Sequence, residues 1–214
     1  MSPVPSGLAD PADDPVRLRR FPTATPVDEL HRLSEHPRPW YFSSITGHDD
    51  PSGGRFDLVD PHGTCYLAET IEGALVEKLL RRPTRVVVAE RLDELFHLTA
   101  ASTADVRTAD LTARRATGFG LNAEIHTTLD YGQPRHWAAA LRSVGFRALR
   151  YHLRGDTTGR LAGRALLGRA GLHRRAPNGF TTEAVTPLDI ARATAALTER
   201  GVLVVPIPGD VPLV

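Results

Sequence analysis

Two short apolar segments with a turn between them stand near the middle of the chain. Residues 56–59 and 64–68 are rich in residues that favour strands, and Pro61 and Gly63 lie in the turn that separates them. A Pro/Gly turn between two such segments is typical of a hairpin. We therefore predict a hairpin-like pair of strands here.

The residues that follow have the period of an amphipathic helix. At 100° per residue, one broad arc collects the apolar side chains Ile71, Leu75, Val76, Leu79 and Leu80. Thr70 is placed to cap the helix. Glu77 lies at the rim of the arc and Gly73 one turn earlier on the same side. A helical glycine costs about 0.5–1 kcal/mol relative to alanine; here it would clear space before a half-buried carboxylate. The alternative is a surface glutamate beside a flexible glycine.

Similar patterns predict further short elements along the chain. We expect strands at residues 84–89 (buried), 94–98, 146–153, 164–167 and 202–207. We expect helices after Asp110, at residues 133–143 with Gly145 behind, and at residues 190–199 after the capping sequence 186–189, closed by Gly201. Short strands with helices at irregular intervals predict a mixed α/β or α+β domain.

Length and composition indicate one folded domain. The chain has 214 residues, of which 41% are hydrophobic, enough for one domain with a sizeable core. Residues 1–27 are rich in Pro, Asp and Ser and are predicted to be a flexible tail, although residues 16–21 have enough apolar character to pack on the domain or on a partner. Residues 28–214 are then the domain, with a helix–strand extension at its C-terminal end.

Apolar run length, charge, and cysteine and histidine content argue against a membrane protein, a nucleic-acid-binding protein and a metal site. No apolar run approaches the roughly 18 residues that span a bilayer, and the single cysteine, Cys65, is typical of a cytoplasmic protein. The net charge of +1 does not predict direct nucleic-acid binding. An arginine-rich face over residues 150–175 would be the alternative, but apart from Tyr151 no Phe, Trp or Tyr is interleaved there. No His pair has metal-ligand spacing with a carboxylate, so no metal is expected.

An ordered set of motifs resembles the RES-domain family, which is named for an Arg, a Glu and a Ser. The most specific part is Gly63-Thr64-Cys65-Tyr66-Leu67-Ala68-Glu69-Thr70 followed by Ala74-Leu75-Val76-Glu77. Arg55 follows a glycine pair, and Leu30-His31-Arg32-Leu33 matches the family's opening strand. The resemblance covers roughly residues 30–171 and makes Arg32 and Glu77 the first two named residues.

The resemblance implies a fold and a biological setting. Members of the family are typically toxins of two-gene toxin–antitoxin systems and resemble ADP-ribosyltransferase toxins, with a split, bent β-core, flanking helices and a cleft for NAD. It implies a cytoplasmic toxin, a cognate helix-turn-helix antitoxin that covers the cleft, and toxicity by NAD depletion or by modification of a target. Toxin complexes of this family are assemblies, so both a homodimer and a hetero-oligomer are compatible with it.

The resemblance also assigns chemistry. Cleavage of the nicotinamide–ribose bond builds positive charge on the sugar, and a fixed carboxylate such as Glu77 stabilises that charge. Arg32 and Arg55 would hold the pyrophosphate with their guanidinium forks, and Tyr66 would place its ring and hydroxyl against the nicotinamide or ribose. ADP-ribose would pass to phosphate, water or a protein side chain. Without the resemblance, an ordinary surface ion pair for Arg32 and Arg55 and a core aromatic for Tyr66 are the favoured interpretations.

The sequence departs from the family at the third named residue. A Tyr-Pro-Ser-type segment on a late strand carries the family's serine, and here it reads Tyr151-His152-Leu153. Leu153 has no hydrogen-bonding group, so His152 or Ser143 is the candidate replacement, and we count His152 among the NAD-binding residues. The alternative function is a catalytically weakened RES domain that binds a nucleotide or a protein partner without turnover.

Overall fold

The computed structural model describes residues 7–80, 84–102 and 106–206. Its strands are β1 (Leu30–Ser34), β2 (Tyr41–Phe42), β3 (Ser44–Ile45), β4 (Leu58–Val59), β5 (His62–Ala68), β6 (Val86–Val88), β7 (Phe96–Ser102), β8 (Thr108–Asp110), β9 (Ala148–His152), β10 (Ala162–Arg169), β11 (Gly171–Leu172), β12 (Phe180–Pro187) and β13 (Leu203–Val205). Its helices are α1 (Pro15–Leu18), α2 (Ile71–Leu79), α3 (Ala89–Asp93), α4 (Glu124–Thr127), α5 (Gly132–Ser143) and α6 (Ile190–Glu199), with a 3-10 helix at Arg114–Phe119.

A seven-stranded sheet organises the described residues, in the order β12-β7-β1-β5-β10-β9-β8. Neighbouring strands are antiparallel except β8 and β9, which are parallel. Alternate side chains of β5 enter two separate cores: Tyr66 and Ala68 join the larger core with α2, α5 and α6, whereas Cys65 and Leu67 join the smaller one. This mixed α/β domain with a large central sheet and flanking helices confirms the predicted fold class.

The sheet is split between its two central strands. β1 and β5 pair only at His31 with Ala68, although each pairs along its length with its other neighbour. Next to this pair, the carbonyl of Tyr66 accepts a hydrogen bond of 2.8 Å from the Arg32 side chain instead of from a strand. The split leaves room for a cleft between β1 and β5, two strands from the N-terminal half of the chain.

Helix α2 forms as the sequence predicts. The side chain of Thr70 accepts a hydrogen bond of 3.0 Å from the backbone N–H of Gly73, which satisfies one of the free donors of the first turn. The predicted apolar arc is buried against the sheet over Ile71, Leu75, Val76 and Leu79, and Leu80 is half-buried at its end. The cap and the period are local features, so the sequence alone determines them.

The predicted hairpin is wrong. β4 pairs in parallel with β3, and β5 pairs with β10 over its whole length. The opposite edge of β5 is occupied by β1 and by a bridge between Ser43 and Thr64. Both edges of β5 are therefore taken by segments distant in sequence, and the preceding segment contacts it only through side chains, as in the 2.7 Å bond from the Thr64 hydroxyl to the Phe56 carbonyl.

The N-terminal segment also differs from the expectation of a flexible tail. Within residues 7–27, Leu8, Leu18 and Phe21 are buried in the larger core. The Phe21 ring lies 4.9 Å from that of Phe119, and the carbonyl of Ala9 accepts a 2.8 Å bond from the indole of Trp137. A few well-spaced apolar residues thus attach a polar segment to the domain, as the alternative for residues 16–21 anticipated.

Other elements differ in detail. β6 lies in a separate two-stranded pair with β13, and Val86 and Val88 are exposed rather than buried. Strand β12 lies where only a helix cap was predicted, and the cap of α6 is Asp189, whose carboxylate accepts from the N–H of Arg192 at 3.0 Å. The last part of the predicted strand 202–207 lies outside the described residues.

Candidate functional site

Two adjoining cavities open beside the split in the sheet. The larger has a volume of about 370 Å³ and is lined by Arg32 and Asp57, among others. The smaller, about 80 Å³, is lined by Arg55, Tyr151 and Leu153. Four residues line both cavities: Gly53, Gly54, Tyr66 and Glu77. Glu77 and Tyr66 therefore stand at the junction, with one candidate arginine in each cavity.

Glu77 is held from the sheet by a tyrosine. Its carboxylate Oε2 accepts a hydrogen bond of 3.1 Å from the hydroxyl of Tyr151 on β9. The Tyr151 ring crosses Gly163 on the neighbouring strand, where a Cβ would lie only 2.6 Å from it. Since Glu77 itself is half-buried on a packed helix, the carboxylate is fixed at its base and at its tip.

Tyr66 lies between the cavities with its hydroxyl already bonded. The hydroxyl donates to Oδ1 of Asp57 at 2.8 Å and accepts from the N–H of Phe56 at 2.9 Å. Burial, and next the Asp57 charge, raise the pKa of Tyr66 well above its usual value. A phenol has one proton, and here it goes to Asp57, so the ring rather than the hydroxyl is the part of Tyr66 open to a ligand.

Arg32 lines the larger cavity from the split edge of β1. One guanidinium nitrogen donates to the Tyr66 carbonyl at 2.8 Å, which fixes the side chain across the gap between the strands. Its Nε is buried, and within the described part of the chain it has no hydrogen-bond partner. An unsatisfied buried donor costs about 1–3 kcal/mol. A donor in this state beside a cavity fits a site that binds an anion.

Arg55 lines the smaller cavity and is buried. Its guanidinium makes long hydrogen bonds of 3.4 Å to the carbonyls of Ile125 and Thr128 and lies 5.4 Å from the ring centre of Tyr131. Burial lowers the pKa of Arg55, while Tyr131, Tyr151 and Glu77 oppose the shift. Because these bonds are long, the Arg55 guanidinium can still donate to a ligand in the cavity that it shares with Glu77.

His152 lies away from both cavities. It follows Tyr151 on β9, so its side chain points to the opposite face of the sheet. Its ring packs at 5.0 Å against that of His126, and its backbone N–H donates to Nδ1 of His126 at 3.3 Å. The structure thus brings Arg32, Arg55, Tyr66 and Glu77 together around the cavities but does not bring His152 to them.

Leu153 takes the place where the family resemblance leads to serine. It is buried, lines the smaller cavity and packs against two glycines: a Cβ on Gly73 would lie 3.2 Å from it, and one on Gly163 2.9 Å. A Cβ on Gly73 would also lie 3.0 Å from that of Ala68. Gly73 therefore makes room for the sheet and for Leu153, and the expectation that it clears space before Glu77 is wrong.

The arginine-rich segment does not form a free basic face at its centre. Nε of Arg164 and Nε of Arg150 both bind Oε1 of Glu69, at 2.7 and 2.9 Å. Arg164 is almost fully buried and also donates to the carbonyl of Thr25 at 3.0 Å. Arg164 thus attaches the N-terminal segment to the sheet, and Arg150 is committed to the carboxylates of Glu69 and Asp110.

Other chemistries find little support within the described residues. There, no group of three or more His, Cys, Asp or Glu side chains is arranged to hold a metal ion. No helix in the described ranges is both long and apolar enough to cross a membrane. Cys65 is buried and burial raises the pKa of its thiol, which disfavours the reactive thiolate.

Two residues of the site are not predicted from the sequence. Tyr151 belongs to the late-strand motif without an assigned role, although the alternation of Leu149, Tyr151 and Leu153 places it on the core face of β9. Asp57 is fully buried, and its carboxylate accepts hydrogen bonds from the Tyr66 hydroxyl and, at 2.6 Å, from the N–H of Gly54. No sequence pattern indicates that this carboxylate is buried. A single aspartate close to a glycine pair predicts an exposed loop residue.

Comparisons with known proteins identify the family and support the fold. The family model described as RES domain matches residues 10–160. No curated protein gives a significant match. Among solved structures, a chain in the crystal structure of the M. tuberculosis MbcT–MbcA toxin–antitoxin complex is similar, with a TM-score of 0.62 and 15% sequence identity, over 86% of this chain and 96% of that chain. At this identity the likeness shows the fold.

Proposed function

The chain belongs to the RES-domain family, and from this premise we propose that it is an NAD-consuming enzyme that breaks the bond between nicotinamide and ribose. The observation that carries the proposal is the position of Glu77 at the junction of two cavities, with Arg32 in one and Arg55 in the other. A carboxylate between two guanidinium groups suits a substrate that has a pyrophosphate and develops positive charge on a sugar.

The bond changes follow from the chemistry of NAD. The C–N bond to nicotinamide breaks, and its electron pair leaves with neutral nicotinamide. An oxygen of phosphate or water, or a nucleophilic atom of a protein side chain, bonds to C1 of the ribose, and any proton on that nucleophile passes to solvent. Glu77 lies where its charge can stabilise the positively charged sugar. The Tyr151 hydroxyl fixes that carboxylate, and the Tyr66 ring offers a flat apolar surface.

The features of the site fit NAD as a substrate. The larger cavity, about 370 Å³, lies within the range of roughly 300–1,000 Å³ that small-molecule sites have. The buried Nε of Arg32 lacks a partner among the described residues, and a phosphate oxygen would supply one. No step of this reaction needs a metal, because the charge on the sugar is met by a carboxylate.

A direct test is to incubate the purified protein with NAD and to follow free nicotinamide. We expect nicotinamide to be released in a time-dependent way. Mass analysis of the other product identifies the acceptor: ADP-ribose for water, its phosphate ester for phosphate, or a modified protein. NAD that stays intact in buffer alone, with added phosphate and with added protein would contradict the proposal.

Removing the hydroxyl that fixes Glu77 should slow the reaction. We expect Tyr151→Phe to lower kcat for nicotinamide release by roughly tenfold, since a hydrogen bond to a charged group is worth about 1.5–3 kcal/mol. The ring stays in place over Gly163, so the variant should still fold, with a thermal midpoint lowered by a few degrees. An unchanged kcat in the folded variant would show that the 3.1 Å contact does not serve catalysis.

Replacing Arg32 tests the anion site. Arg32→Lys keeps the charge but loses the guanidinium fork, so we expect the KM for NAD to rise about tenfold with a smaller effect on kcat. Arg38→Lys, the same change at an exposed position six residues later, is the control and should behave as the unaltered protein. Equal KM values for the two variants would exclude Arg32 from binding.

A second candidate function is binding of a nucleotide or a protein partner without turnover. It is favoured by Leu153, whose buried apolar side chain occupies the wall of the smaller cavity where a serine would offer a hydroxyl. Calorimetry distinguishes the two functions: heat from NAD binding with no nicotinamide released would support the second.

A partner is part of the proposal. The similar solved structure is a toxin–antitoxin complex, and we propose that this chain is the toxin of such a pair, acting in the cytoplasm and neutralised by a small helix-turn-helix protein that covers the cleft. Co-expression with the protein encoded in the adjacent reading frame should yield a complex that releases no nicotinamide. Chromatography of that complex and of the chain alone would also give the oligomeric state.

A further inference from the structure

One buried arginine outside the five predicted site residues holds a complete loop. Arg135 on α5 is 2% exposed. Its guanidinium donates to the carbonyls of four alternate loop residues, His48 at 2.8 Å, Asp50 at 2.6 Å, Ser52 at 2.6 Å and Gly54 at 3.2 Å. The five N–H donors of arginine form a rigid planar fork, so one side chain fixes every second carbonyl of this segment.

The charge of Arg135 has no carboxylate partner at ion-pair distance among the residues that the structure describes. Carbonyl dipoles and the ring of Tyr131, 5.7 Å from the guanidinium carbon, surround it instead. Burying a charge is costly unless it is fully hydrogen-bonded. The favourable term that offsets this burial is the set of loop carbonyls, so the guanidinium and the loop depend on each other.

The last residues of the loop are held from the other side as well. Asp57 accepts from the N–H of Gly54, whose carbonyl binds Arg135. A Cβ on Gly54 would lie 2.5 Å from the Tyr66 hydroxyl, and one on Gly53 2.9 Å from the Asp57 carboxylate. The glycine pair is thus fixed between two buried charged groups, in close contact with Tyr66.

The internal bonds of the loop do not explain its position. The Asp50 carboxylate accepts from the backbone N–H and hydroxyl of both Thr46 and Ser52, which gives the loop its local shape. None of these bonds reaches the sheet or a long helix. Arg135 belongs to α5, and its bonds span more than 80 positions in sequence, so they set where the shaped loop lies relative to the cavities.

We propose that Arg135 is a positioning residue for the NAD site: it fixes the loop of residues 48–54, whose last residues Gly53 and Gly54 form a preformed wall of both cavities, and sets the backbone from which Arg55 projects. The inference rests on the proposed function. A wall that is already ordered before the ligand arrives avoids the loss of conformational freedom that binding otherwise costs.

The test compares Arg135→Met with Arg142→Met, the same change on the same helix at an arginine that contacts His62 instead. Hydrogen exchange of the free protein reports on the amides of residues 48–50 and 52–54, since Pro51 has none. Calorimetry reports the Kd for NAD, with Glu77→Gln added to every protein to prevent turnover. We expect Arg135→Met to accelerate loop exchange about tenfold or more and to raise Kd about tenfold, and Arg142→Met to change neither. If Arg135→Met does not fold, Arg135→Lys decides by the same readouts, because one ammonium group cannot reach four carbonyls.

Each outcome has one meaning. Unchanged loop exchange in folded Arg135→Met or Arg135→Lys would overturn the positioning role. A looser loop with unchanged Kd would also overturn it, because the loop would then not form part of the ligand site. An unmodified protein that binds NAD but releases no nicotinamide overturns the proposed reaction and leaves the positioning role to these readouts. If the parent binds no NAD, the proposed function fails, and loop exchange alone then decides whether Arg135 holds the loop.

Discussion

Glu77→Gln should lower the rate of nicotinamide release by about 100-fold or more, the loss expected when one preorganised electrostatic group is removed from a site where charge develops. Glutamine has nearly the same shape, and its carbonyl oxygen can still accept from the Tyr151 hydroxyl. The helix, its Thr70 cap and the cavities should therefore persist. The measurement is kcat for nicotinamide release, with the fold checked by circular dichroism.

The control for this variant lies on the same helix. Glu72→Gln makes the same change in the first turn of α2, at a residue that lines neither cavity. It should keep nearly full activity. If both variants lose activity equally, the loss comes from the helix rather than from the carboxylate, and if neither does, Glu77 does not stabilise the sugar.

The local parts of this fold could be predicted from the sequence. The cap at Thr70 and the arc around Leu75 depend on spacing within ten residues, and both are as expected. Strand pairing depends on segments far apart, so the period of residues 56–68 identified β5 but not its partners β10 and β1. The burial of Phe21 likewise depends on rings from three other elements.

The site shows the same division. Motif order brought Arg32, Arg55, Tyr66 and Glu77 to notice, and the structure brings these residues together around two cavities. The groups that hold them were not predicted. Asp57 and Arg135 are charged residues that are buried with hydrogen-bond partners from the loop at 48–54. From the sequence we would predict both to be solvent-exposed, because no local pattern distinguishes a charged residue with buried tertiary partners from one on the surface.

The gap in the family pattern has a structural counterpart. A hydroxyl at position 153 would leave unfilled the space that Leu153 occupies between Gly73 and Gly163. The two glycines and the leucine fit as a set, so a single change to serine would not restore a family-like wall. The Tyr151 hydroxyl, one alternate position earlier on the same strand face, is the polar group that this strand offers to Glu77.

Acid should destabilise this protein through His126, by about 3 kcal/mol between pH 7 and about pH 4. Burial first, and then the charges of His152 and Arg55, lower the pKa of His126 from 6.5 to about 4, against weaker effects of Asp110 and the Leu111 backbone. The unfolded chain therefore binds a proton that the folded chain rejects. Stability is fully present above about pH 6.5 and is lost as the pH falls toward the folded pKa, at about 1.4 kcal/mol per unit.

Urea unfolding across this pH range measures the effect. In His126→Asn the side-chain oxygen can replace Nδ1 as acceptor for the N–H of His152 and cannot take up a proton, so its stability should fall by about 3 kcal/mol less than that of the unaltered protein. His36→Asn, at an exposed histidine, should follow the unaltered protein. His31 and His97, whose pKa values are also lowered by burial, contribute equally to all three proteins and cancel in the difference. Parallel pH profiles for both variants would show that His126 is not held neutral. A difference would mean that the fold holds His126 neutral, and that its protonation in acid adds a positive charge near Arg55.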